Sequence, residues 1–168
     1  MGMTATYQLV DNEKLALLKN TDTEWQELFE ELEDLEDEAA VCLDIDKMWD
    51  VLHFILTGTS AENPLKGNLL SESIVGTTPI SDGDGYAAYI ESAQIHEIVS
   101  ALEGFDIKSA MEHFSMQVCK EHHIYPDIWD YEDEIDDIKE EITDYFYKIG
   151  NFYKTAQHSN SNVLVSIY

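Results

Sequence analysis

The hydrophobic pattern of the chain changes its period several times, and short apolar segments alternate with longer helical repeats. Segments rich in β-branched and aromatic residues at Thr4–Val10, Gly85–Glu91 and Asn162–Tyr168 are typical of strands. Ser73–Val75 is predicted as a further strand, and Ser81–Gly85 as the turn between it and the next one. We expect the two terminal strands to be covered and to lie side by side in one sheet.

The segments between these strands repeat their apolar residues every three to four positions, as amphipathic helices do. This repeat predicts helices after Asp11, from about Asp22 through the stripe Trp25–Leu35, over Lys47–Thr57, Ser92–Leu102 and Asp106–His122, and along Ile135–Tyr153. Asp46 is the predicted N-cap of the third helix, and Gly58 is its predicted end. Strands at both ends and in the middle, with helices between them, predict a single α+β domain over residues 1–168. In it, amphipathic helices cover a mixed β-sheet.

The charge balance is strongly acidic and limits the classes of partner. Among 168 residues, 35 are acidic and 9 are basic, which gives a net charge of −26, and every basic residue is a lysine. Such a charge repels nucleic-acid phosphates and anionic membranes, and the chain lacks the arginines that bind them bidentately. The same field attracts basic proteins, although a high charge also serves solubility alone.

The compartment follows from what the chain lacks. It has no apolar run of about 18 residues and no basic segment followed by an apolar core at its start, so we expect a cytoplasmic protein. Cys42 and Cys119 both stand in apolar contexts, and two distant cysteines do not form a disulfide framework. We therefore expect both thiols to be reduced and buried.

One predicted helix carries the residues that are the main candidates for a binding or catalytic site. Asp46, Trp49, Asp50 and His53 recur at positions i, i+3, i+4 and i+7, which places them on one face of the Asp46–Gly58 helix. Asp50 is expected to contact His53 and orient its ring, as a general base would require. The other candidate pocket residues are Thr57, Tyr86 and Tyr125. The alternative is structural: these side chains belong to the core and bond the backbone.

The segment Asp46–Gly58 reads Asp-Lys-Met-Trp-Asp-Val-Leu-His-Phe-Ile-Leu-Thr-Gly and resembles the signature helix of the YfbM-like bacterial proteins. Further similarity lies in the Met-Gly-Met start, in Leu70–Gly76 before Gly85-Tyr86, and in Ile124–Pro126. The resemblance covers essentially the whole chain. It implies one domain with helices layered around a mixed sheet, and it implies no activity, because the family has no established function.

Metal and cofactor motifs fail on their spacing. From Asp82, positions 6 and 12 of a calcium loop are Ala87 and Ala93, where glycine and glutamate are required. His113 and His122 are nine residues apart, which does not match the helical i, i+4 spacing of paired zinc ligands. The sequence therefore predicts no metal site, no cofactor and no set of catalytic residues.

Two functional hypotheses remain. The first is a non-enzymatic acidic protein-binding domain, such as an immunity-type inhibitor of a basic toxin or nuclease. Its surface would combine the acidic segment Asp22–Asp46 with the outer face of the helical segment Asp127–Lys154. The second is a small-molecule binder or enzyme with a cleft beside the Asp46–Gly58 helix.

Overall fold

A five-stranded antiparallel sheet forms the centre of the structure, a computed structural model that describes residues 2–20, 27, 30, 34, 41–81 and 85–168. The strands are β1 (Ala5–Val10), β2 (Cys42–Asp44), β3 (Thr78–Ser81), β4 (Tyr86–Ile90) and β5 (Asn162–Ile167). Their order is β2-β1-β5-β4-β3, and each described pair is antiparallel. The α+β class is confirmed, with an antiparallel rather than a mixed sheet.

The two ends of the chain pair with each other at the middle of the sheet. β1 and β5 align antiparallel from Ala5 opposite Ile167 to Val10 opposite Asn162. Every residue of β5 is buried, which agrees with its apolar composition. The predicted neighbourhood of the terminal strands is therefore confirmed.

Seven α-helices lie in the described part of the chain. They are α1 (Asn12–Lys19), α2 (Trp49–Thr57), α3 (Leu69–Val75), α4 (Ser92–Glu103), α5 (Ile107–Glu112), α6 (Met116–Glu121) and α7 (Ile135–Ser159), with 3-10 turns at Asp46–Met48 and Glu132–Glu134. Asp11 and Asp106 cap α1 and α5 as predicted, and Gly58 ends α2 at a φ of 82°. The helix predicted from Asp22 lies outside the described residues, apart from Glu27, Glu30 and Asp34, which are helical and exposed.

Two predicted elements differ from the structure because polar side chains start helices there. Ser73–Val75 belongs to α3 and not to a strand, since the Asn68 side chain accepts hydrogen bonds from the backbone N–H groups of Leu70 and Ser71. The predicted helix Asp106–His122 is two helices, α5 and α6, because Ser115 caps a new one by accepting from the Val118 N–H.

The two faces of the sheet differ in what they bury. One face carries Tyr7, Ile90 and Val165 and belongs to a large core that includes apolar residues of α2, α3, α4 and α7. The opposite face has a smaller apolar cluster, formed by Val10, Leu15, Leu18, Ala87 and Leu164. No helix in the described part of the chain has both the length and the apolar character that crossing a bilayer requires.

The two cysteines lie in different environments. Cys119 is buried as predicted, whereas Cys42 is exposed. The prediction of two buried thiols was therefore wrong for Cys42. Its strand β2 lies at an edge of the sheet, so local apolar context did not translate into burial.

Candidate functional site

The start of the signature segment is a 3-10 turn rather than a capped α-helix. Asp46 is exposed at a φ of 50°, and its backbone N–H donates to the Asp44 carboxylate at 2.6 Å. The α-helix begins three residues later, at Trp49, without a side-chain cap. The prediction that Asp46 caps this helix was therefore wrong, because the Asp44 side chain bonds the turn instead.

Trp49 joins the signature helix to the beginning of the chain. Its indole N–H donates to the carbonyl of Met3 at 3.1 Å, and its ring centroid lies 5.5 Å from that of Tyr125. The side chain is buried, with 7% of its surface exposed. Trp49 therefore packs as a core residue with its polar atom satisfied.

Asp50 is a buried carboxylate that accepts hydrogen bonds from two distant segments. One oxygen accepts from the Ser60 hydroxyl at 2.9 Å and from the Ala61 backbone N–H at 2.7 Å. The other accepts from the Tyr125 backbone N–H at 2.8 Å. Since only 2% of the residue is exposed, these bonds replace the water that the carboxylate loses. Asp50 thus connects α2 to the following loop and to the segment that contains Tyr125.

His53 is fully buried and bonds partners other than Asp50. Its Nδ1 lies 2.8 Å from the Thr59 carbonyl, which can only accept, so Nδ1 carries the proton. Its Nε2 then accepts from the Ser71 hydroxyl at 2.7 Å, and Ser71 Oγ accepts from the Leu65 backbone N–H at 2.9 Å. The expected direct contact between Asp50 and His53 is not among the hydrogen bonds of either side chain.

Burial lowers the pKa of His53, while the bond to the Thr59 carbonyl and the charge of Asp50 oppose that shift. The imidazole is therefore held neutral at physiological pH. Ser71 and His53 have the spacing of a nucleophile and its base, yet both residues are fully buried. Ser71 also accepts a hydrogen bond from the Leu65 N–H, so the pair connects α2, α3 and the loop between them.

The hydroxyl groups of Thr57 and Tyr86 also donate hydrogen bonds to backbone carbonyls. The Thr57 hydroxyl donates to the carbonyl of His53 at 2.7 Å, one helical turn back. The Tyr86 hydroxyl donates to the Val75 carbonyl at 2.8 Å, and burial raises the pKa of Tyr86 to about 12. Among the candidate residues, Asp50 and Trp49 thus both contact Tyr125. Thr57 and His53 both bond the loop that follows α2, and Asp46 lies at the surface.

Sequence reasoning missed Ser71, Thr59 and the Ser60–Ala61 loop as partners of the signature helix. The signal that could have identified Ser71 is Asn68, a capping residue three positions before it. Had the segment been interpreted as a helix, Ser71 would have fallen within its first turn, where side chains contact a preceding element. The loop partners carry no periodic signal.

A cleft does lie beside the signature helix, on a side that none of the seven candidate residues lines. It has a volume of about 230 Å³ and is bordered by Phe54 and Ile55 of α2 and by residues of α5 and α6, including Cys119. Burial, with the nearby charge of Asp50, raises the pKa of Cys119 to about 12, so its thiol stays protonated. No group of three or more His, Cys, Asp or Glu side chains in the described residues could hold a metal ion.

The acidic surface is the other candidate, and two distant parts of the chain build it. We define the acidic face as Asp44 and Asp46 together with Asp137, Glu140, Glu141 and Asp144 of α7, all of them exposed. Burial and then the charge of Asp46 raise the pKa of Glu141, against the opposing effect of Lys148. The pKa of Tyr145 is raised by burial, then by Glu141 and Asp46, with a smaller effect of Asp44. These shifts indicate that the acidic residues before α2 lie next to α7.

Comparison with known proteins agrees with this fold. The chain is 35% identical over 130 residues to Protein YfbM of Escherichia coli strain K12. The aligned region covers 76% of this chain and 75% of that protein. A crystal structure of YfbM from Escherichia coli, described as a protein of unknown function, matches with a TM-score of 0.82 at 27% identity. That match covers 98% of this chain and 99% of the other. The model of a domain of unknown function, DUF1877, matches residues 1–166, and the chain therefore belongs to the DUF1877 family.

Proposed function

We propose that this protein is a non-enzymatic acidic protein-binding domain that captures a basic protein on the acidic face. The observation that supports this proposal is the packing of α7 beside β2, which brings together two acidic stretches that are far apart in the sequence, so that the charge of Asp46 raises the pKa of Glu141. Like charges repel one another, and a cationic partner would relieve the repulsion. An immunity-type inhibitor of a basic toxin or nuclease is the specific form that we propose.

The rest of the molecule favours capture over catalysis. The net charge of −26 accelerates encounters with cationic proteins at low ionic strength. Asp50 and His53 are buried, and their polar atoms are hydrogen-bonded to other parts of the protein rather than directed at a substrate. The alternative, a small-molecule binder or enzyme with a cleft beside this helix, would have to work without them.

The test is a pull-down from the source organism at low salt, followed by binding measurements with the purified partner. We expect a basic protein that is released as salt is raised, because exposed charges are screened beyond a Debye length of about 8 Å at physiological ionic strength. A gene for a basic toxin directly upstream would support the immunity form. Failure to retain any basic protein at low salt would contradict the proposal.

A matched pair of variants locates the surface. Glu140→Lys, Glu141→Lys and Asp144→Lys together change the acidic face. Glu97→Lys, Glu112→Lys and Glu121→Lys change the net charge equally on the exposed sides of α4, α5 and α6. We expect the first variant to lose association rate and affinity far more than the second, since local complementarity determines both. Equal losses would mean that only net charge matters and that the acidic face is not a binding surface.

A further inference from the structure

A cavity lies between α4, α5 and α7, on residues that the proposed function does not use. Its volume is about 270 Å³, just below the range of about 300–1,000 Å³ that is typical of ligand pockets. Leu102, Phe105 and Phe146 form an apolar floor, and the two phenyl rings lie 5.8 Å apart at an angle of 49°. A flat, apolar group of similar size would pack against both rings.

Gly150 lines this cavity, and neither close packing nor backbone conformation requires a glycine there in the described part of the chain. It lies inside the 25-residue helix α7, where glycine is less favourable than alanine. A Cβ at Gly150 would have no heavy atom within 4 Å, so close packing does not require the glycine, and its φ is not positive. Gly150 lines the cavity, and a larger side chain there would project into it.

The lining of the cavity includes two of the nine lysines of the chain and two carboxylates, those of Glu103 and Asp106. Lys154 lines it and forms an ion pair with Glu103 at 3.0 Å. Lys108 also lines it and forms no ion pair with any residue in the described part of the chain. Asp106, the other acidic residue of the lining, accepts a hydrogen bond from the Ser109 N–H as the cap of α5. Lys108 is therefore the cation left for a ligand.

We propose that this cavity binds a small aromatic monocarboxylate. The ring packs against Phe105 and Phe146 in the space that Gly150 leaves, and the carboxylate bonds the ammonium group of Lys108. One lysine without an ion pair matches one negative charge, and the acidic charge of the whole molecule repels a dianion such as a phosphate monoester more strongly than it repels a monoanion. The proposal concerns a different part of the surface from the acidic face and does not depend on capture of a basic protein.

The experiment is a titration of the ¹⁵N-labelled full chain with phenylacetate, followed by amide NMR shifts. We expect saturable shifts in the low millimolar range or tighter, concentrated at Leu102, Phe105 and Gly150. Phenylacetamide has the same shape without the charge, and acetate has the charge without the ring, so we expect both to bind more weakly. No saturable shift, shifts elsewhere, or equal binding of phenylacetamide would overturn the proposal.

Three variants test the assigned roles. We expect Gly150→Leu to abolish the shifts by filling the cavity, with an otherwise intact amide spectrum because leucine is a good helix former. Lys108→Gln should weaken phenylacetate about tenfold or more and leave phenylacetamide unchanged, as expected for loss of a hydrogen bond to a charged group. Lys139→Gln, on α7 outside the cavity, is the charge-matched control. Equal effects of Lys108→Gln and Lys139→Gln would overturn the proposal even if Gly150→Leu fails to fold.

Discussion

Two buried polar regions of this molecule differ in how completely their hydrogen bonds are satisfied. Around α2, the side chains of Asp50, His53 and Ser71 all have bonded partners. On the smaller face of the sheet, Thr6, Gln8 and Ser166 are equally buried. Their side-chain polar atoms have no hydrogen-bond partner in the described structure.

The difference shows what a buried polar group contributes in each setting. Bonded groups hold separate segments together, as Asp50 does between α2 and the backbone of Ala61 and Tyr125. Buried groups without a hydrogen bond lose their hydration and gain no protein partner that replaces it. Removing a bonded polar group should therefore destabilise the protein, whereas removing one of the unbonded groups should stabilise it or leave its stability unchanged.

The largest expected effect is the loss of the Asp50 carboxylate. Asp50→Ala leaves the N–H groups of Ala61 and Tyr125 buried without an acceptor, so we expect the free energy of unfolding to fall by about 3–5 kcal/mol. Urea unfolding at neutral pH measures this fall in the free energy of unfolding. Asp46→Asn is the control, because Asp46 is exposed and asparagine tolerates its positive φ. A loss below about 1 kcal/mol for Asp50→Ala would remove the basis for the comparison.

Asn162 and Gln8 are buried amides on adjacent strands, and they compare a bonded polar group with an unbonded one. The Asn162 side chain accepts from the Ser92 N–H and donates to the Val10 carbonyl, whereas the Gln8 amide has no partner in the described structure. We expect Asn162→Leu to cost about 1–3 kcal/mol and Gln8→Met to be neutral or stabilising by about 1 kcal/mol. Thermal and urea unfolding of both variants measure the difference. A destabilised Gln8→Met variant would mean that the Gln8 amide has a role that the structure does not contain.

Acid should weaken the first region through His53. The pKa of His53 is lowered in the folded state, so the unfolded chain binds more protons once the pH falls through its ordinary value of about 6.5. The stability due to the neutral ring is thus fully present above about pH 6.5 and is lost below it, by up to about 1.4 kcal/mol per pH unit. We expect His53→Gln to remove this dependence.

Unfolding free energies measured from about pH 8 to about pH 5 provide the test of this linkage. The difference between wild type and His53→Gln should shrink as the pH falls. His113→Gln is the control, since His113 is exposed and should leave the dependence unchanged. A constant difference between wild type and His53→Gln across this range would contradict the role of the buried ring.

The smallest expected effect is at Ser166. Ser166 lies on β5, the strand between β1 and β4, and its buried hydroxyl has no partner in the described part of the chain, so Ser166→Ala removes a desolvated group and almost no volume. We expect a change of about 0.5 kcal/mol or less, or a small gain. Ser71→Ala is the matched substitution in the bonded region and should cost about 1–3 kcal/mol. Equal losses for the two serines would mean that bonding does not distinguish the two regions.

Patterns within a few neighbouring residues correctly predicted those elements that form through interactions close in sequence. The caps at Asp11 and Asp106, the end of α2 at Gly58 and the apolar stripe of α7 depend on neighbours within one or two turns. The short edge strands β2 and β3 were missed because they contain only three and four residues, and β2 in addition pairs with β1, which is distant in sequence. The helix α3 was mistaken for a strand because its Ser-Ile-Val run has the composition of one.

The sequence by itself determined the helical periodicity, the strands at the two ends, the acidic charge and the family resemblance, because each depends on residue types at short separations. Only the tertiary structure decided that His53 bonds Ser71 and not Asp50, and that Asp50 reaches Tyr125, 75 residues away. Helical spacing puts Asp50 and His53 on one face, but which partner each bonds depends on the loops and helices packed against that face. The same holds for Asp46 and Glu141, whose proximity follows from the packing of α7 beside β2 and from no local pattern.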